Sequence, residues 1–137
     1  MPIDQYGPVS FPANEYQRLP AGYKVVFVDT EDKLDQMQVL VGQKYIGVDA
    51  EWRPDRPSWG IMPSGPAIIQ IGGVTETFIV DITNLKFSRK CDLMLTSIFS
   101  CPETTICGFA FNGDISMFNQ FCKKMRFLDN ITNYLEV

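Results

Sequence analysis

The sequence has 137 residues, 45% hydrophobic and 20% charged, which is the size and composition of one soluble globular domain able to bury a core. It contains no histidine, which excludes histidine-dependent serine or cysteine triads, histidine–zinc sites and histidine general bases from within the chain. The net charge of −4 argues against a grip on nucleic acid through bulk positive charge, though not against a groove in which bound metals supply it.

Residues 1–22 hold Pro2, Pro8, Pro12 and Pro20 with little periodicity and read as an extended lead-in to a domain over 23–137. The opening stretch lacks the basic and apolar regions of a signal peptide, and no apolar run approaches bilayer length. An intracellular protein with no membrane partner is expected. Residues 24–28 read as a first short strand. Thr30, Glu31 and Asp32 suit a helix N-terminus, Leu34, Met37, Leu40 and Val41 recur at helical spacing, and Gly42 is a C-terminal stop.

The stretch 45–52, Tyr-Ile-Gly-Val-Asp-Ala-Glu-Trp, carries the chemistry. It reads as a buried strand running into two carboxylates one residue apart, and strand alternation puts Asp49 and Glu51 on one face. Two acids at the end of an apolar strand repel each other, and a divalent metal is the usual compensation. Residues 53–66 come next with four prolines and two glycines, a loop carrying Arg53, Arg56 and Trp59, with Trp52 just before it. These side chains suit a phosphate backbone or a stacked base.

Residues 67–73 and 77–82 read as a hairpin pairing with the first acidic strand. Asp81 ends the second of these and is expected to cap the following turn rather than to ligate metal. Ser88 opens a helix with Cys91, Met94, Leu95, Ile98 and Phe99 on its buried face, closed before Pro102. Residues 104–111 are the next strand, ending at Asn112-Gly113-Asp114, and a helix is expected from Ile115 with Phe118, Phe121 and Cys122 on one side and Lys123 and Lys124 in its last turn. Asp114 thus falls where a strand hands over to a helix N-terminus. One more strand is expected within 127–135. Most of the four cysteines lie in apolar runs with no C-x-x-C pair, which predicts reduced core thiols. The order of elements gives an α/β fold with a mixed sheet and flanking helices, in which Asp49, Glu51 and Asp114 all fall at strand ends.

Ile-Gly-Val-Asp-Ala-Glu-Trp, then Ala-Ile-Ile-Gln-Ile-Gly and Phe-Ile-Val-Asp-Ile, then Cys-Gly-Phe-Ala-Phe-Asn-Gly-Asp-Ile-Ser-Met-Phe resemble successive motifs of the DEDD 3′–5′ exonucleases. The branch most resembled is that of RNase D, Werner and mutator/Nibbler-like proteins, over about residues 24 to 135. The resemblance implies a ribonuclease-H-like fold. It implies Asp49 and Glu51 as the paired acids of the first motif and Asp114 as the acid of the second, catalytic residues that hold two Mg²⁺ or Mn²⁺ ions together with a later aspartate. Trp52, Arg53 and Asn112 become the substrate-binding candidates.

One departure stands out. The third motif of the family, a tyrosine or histidine followed four positions later by aspartate, is missing: Tyr134 would need an aspartate just past the last residue, and Asp129 is too close to Asp114. The chain therefore resembles the first two-thirds of the domain, with a sheet expected to be incomplete at its C-terminal side. The implied function is a metal-dependent 3′–5′ exonuclease domain acting on single-stranded RNA or DNA 3′ ends by a two-metal mechanism, weak or inactive in this form. The alternative is a catalytically dead ribonuclease-H-like module that binds nucleic acid or a protein partner. No glycine-rich loop follows a strand, which leaves a small nucleotide-binding α/β protein without support.

Overall fold

The structure, a computed structural model, describes residues 19–52 and 55–137; most of the lead-in expected over 1–22 lies outside them. The period-2 pattern around the paired acids is realised as strand β2 (Tyr45–Trp52), with Ile46, Val48 and Ala50 buried and Tyr45, Gly47, Asp49 and Glu51 exposed. The other strands are β1 (Lys24–Val28), β3 (Pro66–Gly72), β4 (Glu76–Asp81), β5 (Thr105–Gly108) and β6 (Tyr134–Glu136). Together they form one sheet in the order β1-β4-β3-β2-β5-β6.

The hairpin-and-crossover reading is what the sheet shows. β3 runs antiparallel to both β2 and β4, while β1 with β4, β5 with β2 and β6 with β5 are parallel. Only β3 is reversed, so the C-terminal ends of the other five strands share one edge. Parallel partners need crossovers. Helices α1 (Ile82–Leu85) and α2 (Arg89–Phe99) carry the chain from β4 to β5, and α3 (Phe111–Phe121) carries it from β5 to β6.

Local chemistry explains the helix boundaries. The Asp81 carboxylate accepts from the Asn84 backbone N–H at 3.2 Å and from the Asn84 side chain at 2.8 Å, so it caps α1 as expected of it. The Ser88 hydroxyl accepts from the Cys91 N–H at 3.1 Å and opens α2. Residues Glu31–Leu40 form a 3₁₀ helix rather than an α-helix. Leu34, Met37 and Leu40 are all fully buried at a strict spacing of three, the period of the tighter helix. Thr30 does not cap it; its hydroxyl donates instead to the Asp32 carboxylate.

One face of the sheet is covered. Val28, Ile46, Val48, Ile69, Ile71, Phe78, Val80 and Ile106 pack there beneath the helices. Phe127 fastens α2 to α3, meeting Phe99 edge-on at 5.0 Å and Phe118 at 5.3 Å between ring centroids. The opposite face leaves Val25, Phe27, Tyr45 and Leu135 exposed, and Asp49 and Glu51 belong to it. The last element is β6, a three-residue edge strand at the end of the expected 127–135. Lys123 and Lys124 lie past the end of α3 rather than in its last turn. The four thiols are free, and burial pushes the Cys91 thiol up to about 12, which keeps it unreactive. Among the described residues no helix is long and apolar enough to cross a membrane.

Candidate active site

The paired acids stand at the shared C-terminal edge of the sheet. β2 pairs residue for residue with β3 until the register shifts between Glu51 and Trp52. A bulge there turns the strand and re-aims the next side chain. Trp52 is accordingly exposed beside the acids. Arg53 lies outside the described residues. Farther along the loop, Trp59 is exposed as well, with the Arg56 guanidinium 4.8 Å from its ring centroid.

The third acid arrives from the other side of β2. Strand β5 stops at Gly108, short of the expected 111, because Ala110 takes a left-handed conformation with φ 51° and turns the chain into α3. Asn112 and Gly113, which resemble a turn in sequence, thereby enter the first helical turn, where backbone N–H groups need no intrahelical partner. Asn112 is exposed there, with its carbonyl accepting from Ser116 at 3.2 Å. Phe111, Asp114 and Phe118 recur at helical spacing on the buried stripe. Asp114 is therefore 7% exposed, the one buried ionisable side chain that is neither thiol nor phenol among the described residues. It does not cap the helix.

Helix α3 packs on β2 and β3, which brings Asp114 within reach of the charges of the paired acids. Burial raises its carboxyl above the usual value of 3.8, and the like charges of Asp49 and Glu51 raise it further, while the Ala50 backbone N–H pulls the other way. That N–H also donates to Asp49 Oδ1 at 2.9 Å. Even so, among the described residues no three Asp, Glu, Cys or His side chains stand close enough to enclose an ion. The acids sense one another across the edge without closing. Their chemistry suits a hard dication: carboxylate oxygens only, with no imidazole in the chain. A bound dication would also relieve the repulsion that raises Asp114. Beside Asp49, a shallow cavity of about 260 Å³ is floored by Gly47 and Gly72 and flanked by Gln70 and Thr77.

Glu136, which the sequence reading passes over, and Tyr134, which it weighs only for the third motif, hold this edge together. Glu136 accepts the Ala110 backbone N–H with one oxygen and the Tyr134 hydroxyl with the other. Those bonds keep the Glu136 carboxyl below the usual range. Tyr134 is pushed up to about 12 by burial and by its bond to Glu136. Gly108 is required beneath them, since a Cβ there would stand 2.8 Å from that of Phe111 and 3.0 Å from the Tyr134 hydroxyl. The available signal was the i, i+2 spacing of Tyr134 and Glu136, the same rule that pairs Asp49 with Glu51.

No family model and no curated protein matches the sequence. Solved structures do match. The EXO domain of Aedes aegypti Nibbler superposes with a TM-score of 0.62 at 20% identity, covering 88% of this chain and 55% of that one. The fold is that of DEDD 3′–5′ exonuclease domains. The same exonuclease fold is matched in Trypanosoma brucei RNase D complexed with RNA U12, at a TM-score of 0.59 and 20% identity, over 72% of this chain and 34% of that one. The EXD2 exonuclease domain soaked in Mg and GMP gives 0.61 at 19% identity, over 82% and 55%. The chain thus spans about a third to about half of the length of these exonuclease structures.

Proposed function

We propose that this chain is a metal-dependent 3′–5′ exonuclease unit acting on single-stranded RNA or DNA ends, with Asp49, Glu51 and Asp114 as its metal-holding acids. The observation that carries the reading is Asp114: a carboxylate buried to 7% exposure and pressed by the charges of Asp49 and Glu51, within an exonuclease fold. Such a group is expensive to keep unless it serves a cation. Mg²⁺ or Mn²⁺, when bound, would supply activation of a water and charge stabilisation at the leaving 3′ oxygen. In this chain Asp49, Glu51 and Asp114 would hold the ions through their carboxylate oxygens. Trp52 offers its exposed ring to the terminal base, with Asn112 as a polar contact and Arg53 for the phosphate. RNA is supported as a substrate by the RNase D complex with RNA U12, and magnesium by the EXD2 structure soaked in Mg and GMP.

Activity of the 137-residue chain alone is expected to be very low. Three acids that do not close around one point hold ions loosely, among the described residues no fourth acid stands with them, and the Tyr134 hydroxyl is engaged with Glu136. The same observation favours the second reading, a catalytically silent module that keeps the strand-binding surface. Calorimetric titration with Mn²⁺ and 3′-end-resolved digestion of single-stranded oligonucleotides separate them. Heat that Asp49→Asn greatly reduces, with slow digestion that Glu51→Gln abolishes, is the expected result. An isotherm unchanged by Asp49→Asn would end the metal-site reading.

A further inference from the structure

A larger cavity than the one beside Asp49, about 500 Å³, opens where α1 meets α2, and the exonuclease reading gives it no role. Lys86, Arg89 and Lys124 line it together with Phe87 and Leu93. Its one acid, Asp92, is already committed: a single carboxylate oxygen accepts the backbone N–H groups of Arg126 at 2.7 Å and Phe127 at 3.0 Å. Among the described residues none of the three cations takes part in an ion pair. Phe87 is 74% exposed, with the Lys86 ammonium 5.3 Å from its ring centroid. An acidic protein thus gathers three cations and a single carboxylate around an exposed aromatic ring.

The cavity lies at the same edge of the sheet as the acids. Glu51 pairs with Ile68 and Ile68 with Asp81, so Asp81 is level with Glu51 two strand spacings away, about 10 Å. Lys86 follows Asp81 through the single turn of α1. From the other direction, α3 carries Asp114 in its first turn and rises about 10 Å to Phe121, which packs on Gly65 so closely that a Cβ there would overlap its own. Lys124 comes three residues later. The acids and the cavity thus lie toward one edge of the sheet.

We propose that this cavity is a second contact for single-stranded nucleic acid, upstream of the 3′ end. Lys86, Arg89 and Lys124 neutralise backbone phosphates and Phe87 stacks on a base. Interleaved cations and exposed aromatic rings are the chemistry by which single strands are held without sequence preference. The proposal rests on the exonuclease reading only for the direction of the strand; the phosphate contacts stand without it.

The test is fluorescence anisotropy with a 5′-labelled single-stranded RNA of about 12 nucleotides, in EDTA, across about 50 to 200 mM salt. Removing three phosphate contacts in the Lys86→Ala/Arg89→Ala/Lys124→Ala variant should lower the slope of log K against log salt by about 2, with affinity down about tenfold or more at the lowest salt. Phe87→Ala should weaken binding about tenfold with the slope unchanged. A Lys24→Ala/Lys44→Ala/Lys123→Ala control of equal charge should keep slope and affinity, and circular dichroism checks that every variant is folded. Binding of GMP should be the same in wild type and the cavity variant. The proposal fails if the wild type does not bind the RNA, if the cavity variant binds it as the wild type does, or if the control loses as much. It fails too if GMP binding falls with RNA binding, which would mark a site for a free phosphate compound; a cavity variant without effect would leave a protein partner as the occupant. Failure of the exonuclease reading shows separately, in a Mn²⁺ isotherm insensitive to Asp49→Asn.

Discussion

Asp114→Asn is expected to stabilise the protein while removing its response to divalent ions. The aspartate is 7% exposed and faces two like charges. Asparagine keeps its shape and drops its charge. A substitution of this kind acts at about 1 kcal/mol. At about 2.1 cal/mol/K per residue of unfolding entropy, that is about 3–4 °C in Tm for 137 residues. An ion at a hundredfold excess over its Kd stabilises the wild type by about 2.7 kcal/mol, or about 9 °C. Thermal melts followed by circular dichroism should therefore cross: the variant melts higher in EDTA and the wild type higher in excess Mn²⁺. The raised carboxyl sets the sign of the pH dependence. Its neutral form is fully accommodated below the ordinary value of 3.8, and that stability is lost as pH rises through the raised folded value. Wild type should lose stability over that interval relative to the variant. A variant that melts lower in EDTA and keeps the whole Mn²⁺ shift would refute the reasoning.

Ala110→Gly should add about 1 kcal/mol, read as a higher urea midpoint, because the left-handed conformation at φ 51° costs an L-residue about that much. Asp81→Ala should cost about 1 kcal/mol through loss of the α1 cap and leave Mn²⁺ binding unchanged; a lost isotherm would make Asp81 a ligand. Glu136→Gln should lower the melting temperature at neutral pH. The depressed carboxyl contributes stability above its ordinary value of 4.5 that is lost as pH falls through the folded value, so the variant's deficit should shrink in acid melts.

Much of the site was legible because it obeys local rules. Strict alternation in 45–52 places Asp49 and Glu51 on one face, and Asp81 and Ser88 cap as their positions in the chain suggest. Hairpin signals and helical crossovers were enough to give a mixed sheet, though not the order of its strands. What escaped was set by distant contacts. The left-handed Ala110 carries no residue signature, since its amide is held by a glutamate 26 positions away. Without it the helix start falls four residues late, at Ile115, and Asp114 stands before the helix rather than on its buried stripe. The basic cavity is likewise invisible in sequence, as Lys124 joins Lys86 and Arg89 only in the folded chain, where Asp92 holds the backbone at Arg126 and Phe127.

The lone reversed strand has a consequence for how the molecule comes into being. β2, β3 and β4 form a meander whose partners are near in sequence, whereas β2 meets β5, and β1 meets β4, only across loops of about 50 to 60 residues. Closing such loops costs entropy before their contacts repay it, and mixed sheets of this kind fold more slowly than local ones. During synthesis from the N-terminus, Asp49 and Glu51 can therefore be fixed on one face of a formed meander while Asp114 has yet to leave the ribosome. The paired carboxylates spend that interval on an edge strand, and their charge deters a second nascent chain from pairing with it. The same two acids that would serve a cation in the finished protein guard its unfinished sheet against aggregation.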